Sequence, residues 1–170
     1  MTYRLAAPLP VDELRSLLSY DGDTGIFRWS KPPAPGRQRF VGAVAGKVSG
    51  VYRQIKIGGV LYMAHRLAWH HSTGDWPLED IDHVNGDPRD NRLVNLRLAT
   101  QSQNNGNRRS RHGSSKFKGV TWHRKCKKWQ AQIECDGVAH YLGLFQAEDD
   151  ASLAYQEAAA RLFGEFARAS

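Results

Sequence analysis

The sequence is constrained most strongly by residues 81–104, where a polar, turn-rich loop separates two short apolar segments. Asp82 and His83 end the first apolar segment, and Asn95 opens the second. Thr100 then stands where a helix N-cap is expected, because its hydroxyl can accept a hydrogen bond from the free amides of a first helical turn. The pattern predicts a strand, a loop, a second strand and a helix, with polar side chains converging from both ends of the loop.

These residue types suit the hydrolysis of a phosphodiester bond. Histidine titrates close to neutral pH, so His83 can take a proton from an attacking water. A hard cation with oxygen ligands stabilises the extra negative charge on the phosphate, and Asp82 with the amide oxygen of Asn104 or Asn105 could hold one. Asn95 is placed to accept a hydrogen bond from the far nitrogen of the imidazole and so to fix its tautomer.

The loop motifs also resemble a known family. The runs DHVNG at 82–86, DNR at 90–92 and NLR at 95–97, followed by Asn104, are similar to those of the HNH endonucleases, in particular the phage and intron-associated homing type. The resemblance implies a ββα-metal finger in which His83 is the general base, Asp82 and Asn104 bind one Mg2+-like ion, and Asn95 orients His83. Asn104 stands where some of these nucleases have a second histidine. No Cys-x-x-Cys pair flanks the finger, so a zinc-stapled form is not expected.

The charge distribution favours a polyanionic partner. The formal net charge is +7, and no acidic residue occurs between residues 91 and 133. The basic residues in this acid-free stretch are Arg92, Arg97, Arg108, Arg109, Arg111, Lys116, Lys118, Arg124, Lys125, Lys127 and Lys128. A solvated surface normally mixes charges of both signs, so the stretch predicts contact with phosphates. The resemblance to the HNH endonucleases implies that these belong to double-stranded DNA.

Residues 116–170 predict a second unit of three strands backed by one helix. Apolar residues alternate with Lys, Gln and Glu over 128–134, and Asp136-Gly137 predicts a tight hairpin turn after them. Residues 147–163 have helical periodicity, with a stripe of small residues suited to close packing on a sheet. One face of the sheet would then remain free, polar and basic.

This second unit resembles the plant ethylene-response-factor (AP-two) DNA-binding domain through FKGV at 117–120, WQAQI at 129–133, YLGLF at 141–145 and the alanine pattern at 151–159. The resemblance implies a three-stranded sheet that lies in the major groove. Thr121 and Glu134 stand where the plant domains have arginine, so a different base preference is expected. The candidate DNA-binding residues are Lys118, His123, Arg124, Lys128, Gln130, Gln132 and Tyr141, together with Arg108, Arg109 and Arg111.

The expected fold class is α+β, with three segments. Residues 1–107 form the HNH nuclease domain, with a strand-rich lead at 1–74 and the finger at about 78–107; a basic linker at 108–115 follows, and 116–170 form the DNA-binding domain. The lead is predicted to contain a helix at 10–20, strands at 26–29, 41–48, 51–57 and 60–63, and a helix at 64–71. His65 and Trp69 are interpreted as structural, and His70 or His71 as lying near phosphate.

Several classes of protein are not expected. There is no apolar run of about 18 residues, as a membrane helix needs, and the first residues lack the apolar core of a secretory signal. The two cysteines, Cys126 and Cys135, do not make a disulfide framework, which favours the cytoplasm of a bacterial or phage-infected cell. A zinc site of His123, Cys126, Cys135 and His140 matches no compact knuckle, so buried thiols are the simpler interpretation. No feature calls for an obligatory protein partner.

The sequence thus predicts a site-specific, homing-type endonuclease that nicks or cuts duplex DNA with a histidine base and one divalent metal. Removal of residues 116–170 is expected to leave the chemistry intact and to abolish target choice. The alternatives are a DNA-binding regulator that does not cleave, in which the finger is only structural, and an RNA-binding accessory protein.

Overall fold

The computed structural model describes residues 9–107 and 114–168. Its contacts divide the chain into two units, Met1–Leu98 and Ala99–Ser170. Helices and strands occur in both units, so the α+β class expected from the sequence is confirmed. None of the helices described in these two ranges has the length and hydropathy that a bilayer crossing requires.

The first unit is built from three small antiparallel groups of strands and two helices. The elements are α1 Val11–Leu17, β1 Leu18–Asp21, β2 Ile26–Trp29, β3 Lys47–Ser49, β4 Tyr52–Ile57, β5 Val60–Met63, α2 Ala64–Thr73 and β6 Asp80–His83. The strand β7, Leu96–Ala99, pairs with β6 and ends at the boundary of the unit. β1 pairs with β2, and β3, β4 and β5 form a second sheet in that order. Side chains of Leu14, Leu18, Phe27, Ile55 and Leu67 fill the core and are fully buried.

Two predictions in this unit are wrong in extent. The predicted strand at 41–48 shrinks to β3, because Gly42 and Gly46 have φ values of 80° and 76° and turn the backbone. A Cβ at Gly46 would overlap the carbonyl oxygen of Gln54, so the close approach of the two chains there depends on glycine. The predicted helix at 10–20 ends at Leu17, since Leu18 already pairs with Trp29 in β1.

Other local predictions in the first unit hold. Gly58 and Gly59 both have positive φ, 56° and 87°, as a two-residue hairpin turn between β4 and β5 requires. Gly74 ends α2 in the left-handed conformation, with its amide bonded to the carbonyl of His70. Strand β5, which precedes α2, matches its predicted bounds of 60–63.

The second unit is a three-stranded antiparallel sheet with a long helix on one face, as the sequence predicts. Its elements are α3 Gln101–Asn107, β8 Val120–His123, β9 Lys128–Cys135, β10 Val138–Phe145 and α4 Glu148–Phe163, followed by a 3-10 turn at Gly164–Phe166. The strand order is β10-β9-β8, with a register shift between Tyr141 and Gly143. Ala131 and Ile133 of β9 are buried together with Ala151, Tyr155, Ala158 and Ala159 of α4.

The contacts place α3 in the second unit, although the sequence assigned it to the nuclease domain. The predicted linker at 108–115 lies mostly outside the described residues, which resume at 114. The division into functional domains therefore stays a prediction.

A glycine pair tests how the second unit packs. Gly119 has a φ of 70°, and a Cβ there would overlap the Tyr155 ring. Gly137 has a φ of 76° with open space around it. We expect Gly137→Ala to lower the free energy of unfolding by about 1–2 kcal/mol, from backbone strain alone. Gly119→Ala adds overpacking, which costs about a further 1–3 kcal/mol. Urea unfolding followed by tryptophan fluorescence measures both, and equal losses would contradict this packing.

Candidate active site

The predicted metal ligand Asp82 and the predicted base His83 lie together where β6 ends and the loop to β7 begins. Asp82 and His83 are the last residues of β6, and both are buried, at 4% and 6% exposure. The amide of Gly86 donates to the carbonyl of His83 at 2.7 Å, so the chain turns back immediately after the histidine. The amide of Val84 then donates to the carbonyl of Asn95 at 2.9 Å, which joins the two ends of the loop.

The imidazole of His83 is held by Asn91. Its Nε2 lies 3.4 Å from Oδ1 of Asn91, a fully buried side chain. Asn91 is fixed in turn by its own Nδ2, which donates to the carbonyl of Arg89, and by the Tyr20 hydroxyl, which donates to the carbonyl of Asn91 at 2.8 Å. An amide oxygen only accepts hydrogen bonds, so Nε2 carries the proton and Nδ1 carries the lone pair.

The predicted role of Asn95 needs correction. Its Oδ1 accepts a hydrogen bond from the amide of Asn85 at 2.9 Å, and its Nδ2 donates to the carbonyl of Asp90 at 2.8 Å. Both ends of the Asn95 amide therefore bond the loop backbone, and the amide on the imidazole is that of Asn91. In the sequence, Asn91 stands in the Asp90-Asn91-Arg92 run. Its spacing from His83 gave no reason to prefer it to Asn95 as the partner of the imidazole.

The surroundings of His83 favour its neutral form. Burial lowers the pKa of His83, and this is opposed in part by the hydrogen bond with Asn91 and by the charges of Asp82, Asp87 and Asp90. A lowered pKa keeps the imidazole unprotonated at neutral pH, which is the state that accepts a proton.

Asp82 is paired with Arg97, a contact that sequence reasoning missed. Nη2 and Nε of Arg97 both bond Oδ2 of Asp82, at 2.8 and 2.9 Å. The pair compensates the cost of burying a carboxylate and fixes its orientation beside His83. The sequence placed Arg97 only among the basic residues of the acid-free stretch, since the partner of a charged residue is set by the pairing of β6 with β7.

Two aromatic side chains flank the base. The ring of His65, on α2, lies 5.2 Å from that of His83 at an interplanar angle of 84°, and Tyr52 lies 5.3 Å from His65. Burial, with the neighbouring His83 and Arg66, lowers the pKa of His65 to about 3. His65 is therefore neutral and packs against the base, which is compatible with the structural role expected for it.

Of the other histidines of α2, His70 has contacts that exclude the expected role, and for His71 that role stays a prediction. His70 is buried at 5% exposure, with Nε2 2.8 Å from the carbonyl of Leu9, so the expectation of a phosphate contact there is wrong. His71 is partly buried beside the rings of Tyr20 and Phe27.

The N-terminus of α3 forms as predicted. The hydroxyl of Thr100 accepts from the amide of Gln103 at 3.2 Å, and Oε1 of Gln103 accepts from the amide of Thr100 at 2.8 Å. This reciprocal capping box confirms Thr100 as the N-cap. Asn104, one turn along, is partly exposed. Because α3 and Asp82 belong to different units, joint metal binding by Asp82 and Asn104 stays a prediction.

Among residues 9–107 and 114–168, no three His, Cys, Asp or Glu side chains are grouped so that they could hold a metal ion. Nδ1 of His123 accepts a hydrogen bond from the amide of Cys126 at 3.2 Å. Both thiols are free, and Cys126 is exposed, which corrects the expectation that both are buried.

Five of the predicted DNA-binding residues share one face of the C-terminal sheet. Residues opposite each other in an antiparallel pair lie on the same face. The pairs are His123 with Lys128, Thr121 with Gln130, and Tyr141 with Gln132. Alternation along β9 puts this face opposite Ala131 and Ile133, which pack on α4. Tyr141 is 63% exposed.

Two further predicted DNA-binding residues, Lys118 and Arg124, lie outside this set of paired strand positions. Nζ of Lys118 donates to the carbonyls of Asn105 and Gly106 at 2.8 and 2.6 Å, at the end of α3. Arg124 is exposed in the turn between β8 and β9. Arg108, Arg109 and Arg111 lie outside the described residues.

The low pKa of His65 predicts an acid-dependent loss of stability. An unfolded chain protonates this histidine near pH 6.5, but the folded chain does so only near pH 3. The free energy of unfolding therefore falls as the pH drops below 6.5, by up to about 1.4 kcal/mol per pH unit for one such group. We expect the free energy of unfolding of His65→Gln, measured by urea unfolding, to fall less steeply over this pH range. Equal slopes for the variant and the wild type would contradict a buried, neutral His65.

Comparisons with known proteins agree with this geometry. Residues 62–106, which run from β5 to α3, match the family model described as HNH endonuclease. The chain is 31% identical over 78 residues to Protein 3.8 of Escherichia phage T7, covering 45% of this chain and 64% of that protein. It is 36% identical over 89 residues to an uncharacterized HNH endonuclease of Acanthamoeba polyphaga mimivirus, covering 51% and 44%.

A third similarity is to APETALA2-like protein 2 of Oryza sativa subsp. indica, at 50% identity over 54 residues, which are 31% of this chain and 12% of that protein. The chain spans less than two thirds of the length of each of these relatives. No solved structure gives a significant match. The buried Asp-His pair and its loop thus belong to an HNH endonuclease domain at residues 62–106.

Proposed function

We propose that the chain is a metal-dependent, site-specific DNA endonuclease of the homing type, which nicks or cuts double-stranded DNA. The observation that carries the proposal is the buried, neutral His83, with Nε2 on Asn91 and with Asp82 directly before it in the chain. The proton on Nε2 leaves Nδ1 as the basic nitrogen of His83, as the proposed reaction requires.

In the proposed reaction, Nδ1 of His83 takes a proton from a water whose oxygen attacks the phosphorus, as a bond from phosphorus to a sugar oxygen breaks. The imidazolium that forms is stabilised by the Nε2–H bond to Asn91 and by the carboxylates of Asp82, Asp87 and Asp90. The same groups that oppose the lowering of the His83 pKa in the resting site therefore favour the proton transfer.

We assign Asp82 and Asn104 as the protein ligands of one divalent ion, Mg2+ by the sequence argument. When bound, such an ion stabilises the negative charge that develops on the phosphate and the leaving oxygen. The donors fit, because Mg2+ is usually held by one or two carboxylates, with waters and substrate phosphate as the other ligands. Arg97 already neutralises much of the Asp82 charge. We therefore expect the DNA phosphate to contribute strongly to the affinity for the ion.

We assign target binding to the C-terminal sheet. The face that carries His123, Lys128, Gln130, Gln132 and Tyr141 offers cationic, amide and aromatic groups, which contact phosphates and base edges. The similarity to APETALA2-like protein 2 and the resemblance to the AP-two domain support this role. The linker arginines Arg108, Arg109 and Arg111 are proposed to bind phosphates.

The histidine assignment has a direct test. We expect His83→Ala to reduce Mg2+-dependent conversion of supercoiled plasmid at least about 100-fold, because a positioned base contributes that much or more. Duplex affinity, measured by fluorescence anisotropy, should change little. His140→Ala is the control and should cleave like the wild type, because His140 pairs with Ile133 on the sheet face opposite the proposed DNA contacts.

Three results would count against the proposal. Equal cleavage by His83→Ala and the wild type would remove His83 as the base. Tight duplex binding with no cleavage by the wild type would favour the regulator. Preference for RNA over duplex DNA would favour the RNA-binding accessory protein.

A further inference from the structure

The short helix α3 depends on the C-terminal unit for its stability. It has only seven residues, and a helix of this length is not stable by itself in water. Within the second unit it contacts β9, α4 and the 3-10 turn at Gly164–Phe166. Residues later in the chain therefore contribute to the formation of α3.

Two specific contacts attach α3 to the rest of the second unit. Oγ of Ser102 accepts a hydrogen bond from the amide of Asp136 at 2.9 Å, which ties the first turn of α3 to the β9–β10 hairpin. Gly106 is buried against Phe163, and a Cβ at Gly106 would lie 2.8 Å from Cγ of that ring. The absence of a side chain at Gly106 thus allows the helix to approach α4 closely.

Lys118 closes the other end of the helix. The last carbonyls of a helix have no amide partner within it, and a cation there also interacts favourably with the helix dipole. Nζ of Lys118 bonds two of these carbonyls, those of Asn105 and Gly106. The sequence predicted Lys118 as a DNA contact, since its charge alone does not show which anion or dipole it faces.

We infer that Lys118 is a positioning residue of the nuclease, which acts by capping the helix that carries Asn104. The C-terminal unit would then serve the chemistry as well as target binding. This inference rests on the proposed function, because it requires Asn104 as a metal ligand. It also reverses the expectation that a chain without residues 116–170 keeps its chemistry, since that truncation would remove Lys118, β9 and α4 from around α3.

The test compares full-length Lys118→Met with Lys116→Met. Lys116 is a matched control because its Nζ lies over the Phe117 ring, 4.7 Å from the centroid. Three quantities are measured for each: amide hydrogen exchange of α3, single-turnover cleavage of saturating duplex, and the dependence of duplex affinity on salt. Lys118→Arg, which keeps a cationic donor, is the rescue variant.

For Lys118→Met we expect faster exchange at the α3 amides with unchanged protection of β9. The single-turnover rate should fall about tenfold or more, as misplacement of a site group does. The slope of log affinity against log salt should match that of the wild type. Lys118→Arg should restore both the protection and much of the rate, and Lys116→Met should leave them unchanged.

A phosphate-binding role would give another result. The salt slope of Lys118→Met would fall by about 1, with affinity lost and the saturated cleavage rate kept. That outcome, or unchanged exchange in α3, would overturn the inference while the His83→Ala comparison still supports the nuclease. Faster exchange in α3 with normal cleavage would overturn its link to the chemistry, and Ser102→Ala, which loosens the other end of α3, checks that result independently. Absence of cleavage by the wild type would contradict the proposed function itself.

Discussion

The side-chain amide of Asn95 holds the candidate active site together. It bonds the backbone on both sides of the loop, at Asn85 and Asp90, from a nearly fully buried position. Each of these bonds gives a backbone group of the loop a hydrogen-bond partner. With the loop closed in this way, Asn91 points at the imidazole of His83, and the base acquires a defined tautomer. The chemistry depends on a residue that does not touch the base.

In the first unit, the neutral imidazole of His83 lies next to Asp82 in the chain, and Arg97 compensates the charge of that carboxylate. Burial keeps both His83 and His65 unprotonated, so no positive charge from these rings competes with a cation near Asp82. Arg97 supplies a positive charge that compensates the buried carboxylate of Asp82. Such a site would suit the proposed DNA substrate bound together with the proposed metal ion, because each would bring the charge that the other requires.

Much of this arrangement could be predicted because it is local. The Gly58-Gly59 and Asp136-Gly137 turns follow from the conformations that only a few residues adopt, and the capping box at Thr100 and Gln103 follows from a spacing of three residues. The Asp82-His83 pair was found because two reactive side chains adjoin at the end of an apolar segment.

The errors arose where tertiary contacts decide. Asn91 and Asn95 are both amides in the same loop, and only the folded loop shows which one faces inward. His70 has the chemistry of a phosphate ligand, but it is buried on the carbonyl of Leu9. That partner lies 61 residues away in the sequence, beyond the range of turn and periodicity rules.

The central claim is that Asn91 sets the state of His83 as the base, and the pH dependence of Asn91→Asp tests it most directly. A carboxylate at this position would favour the imidazolium, so the pKa of His83 should rise. The acid limb of the single-turnover cleavage rate should then move to higher pH than in the wild type, with duplex affinity retained at neutral pH. An acid limb at the same pH in both proteins would show that His83 does not titrate as the base beside Asn91.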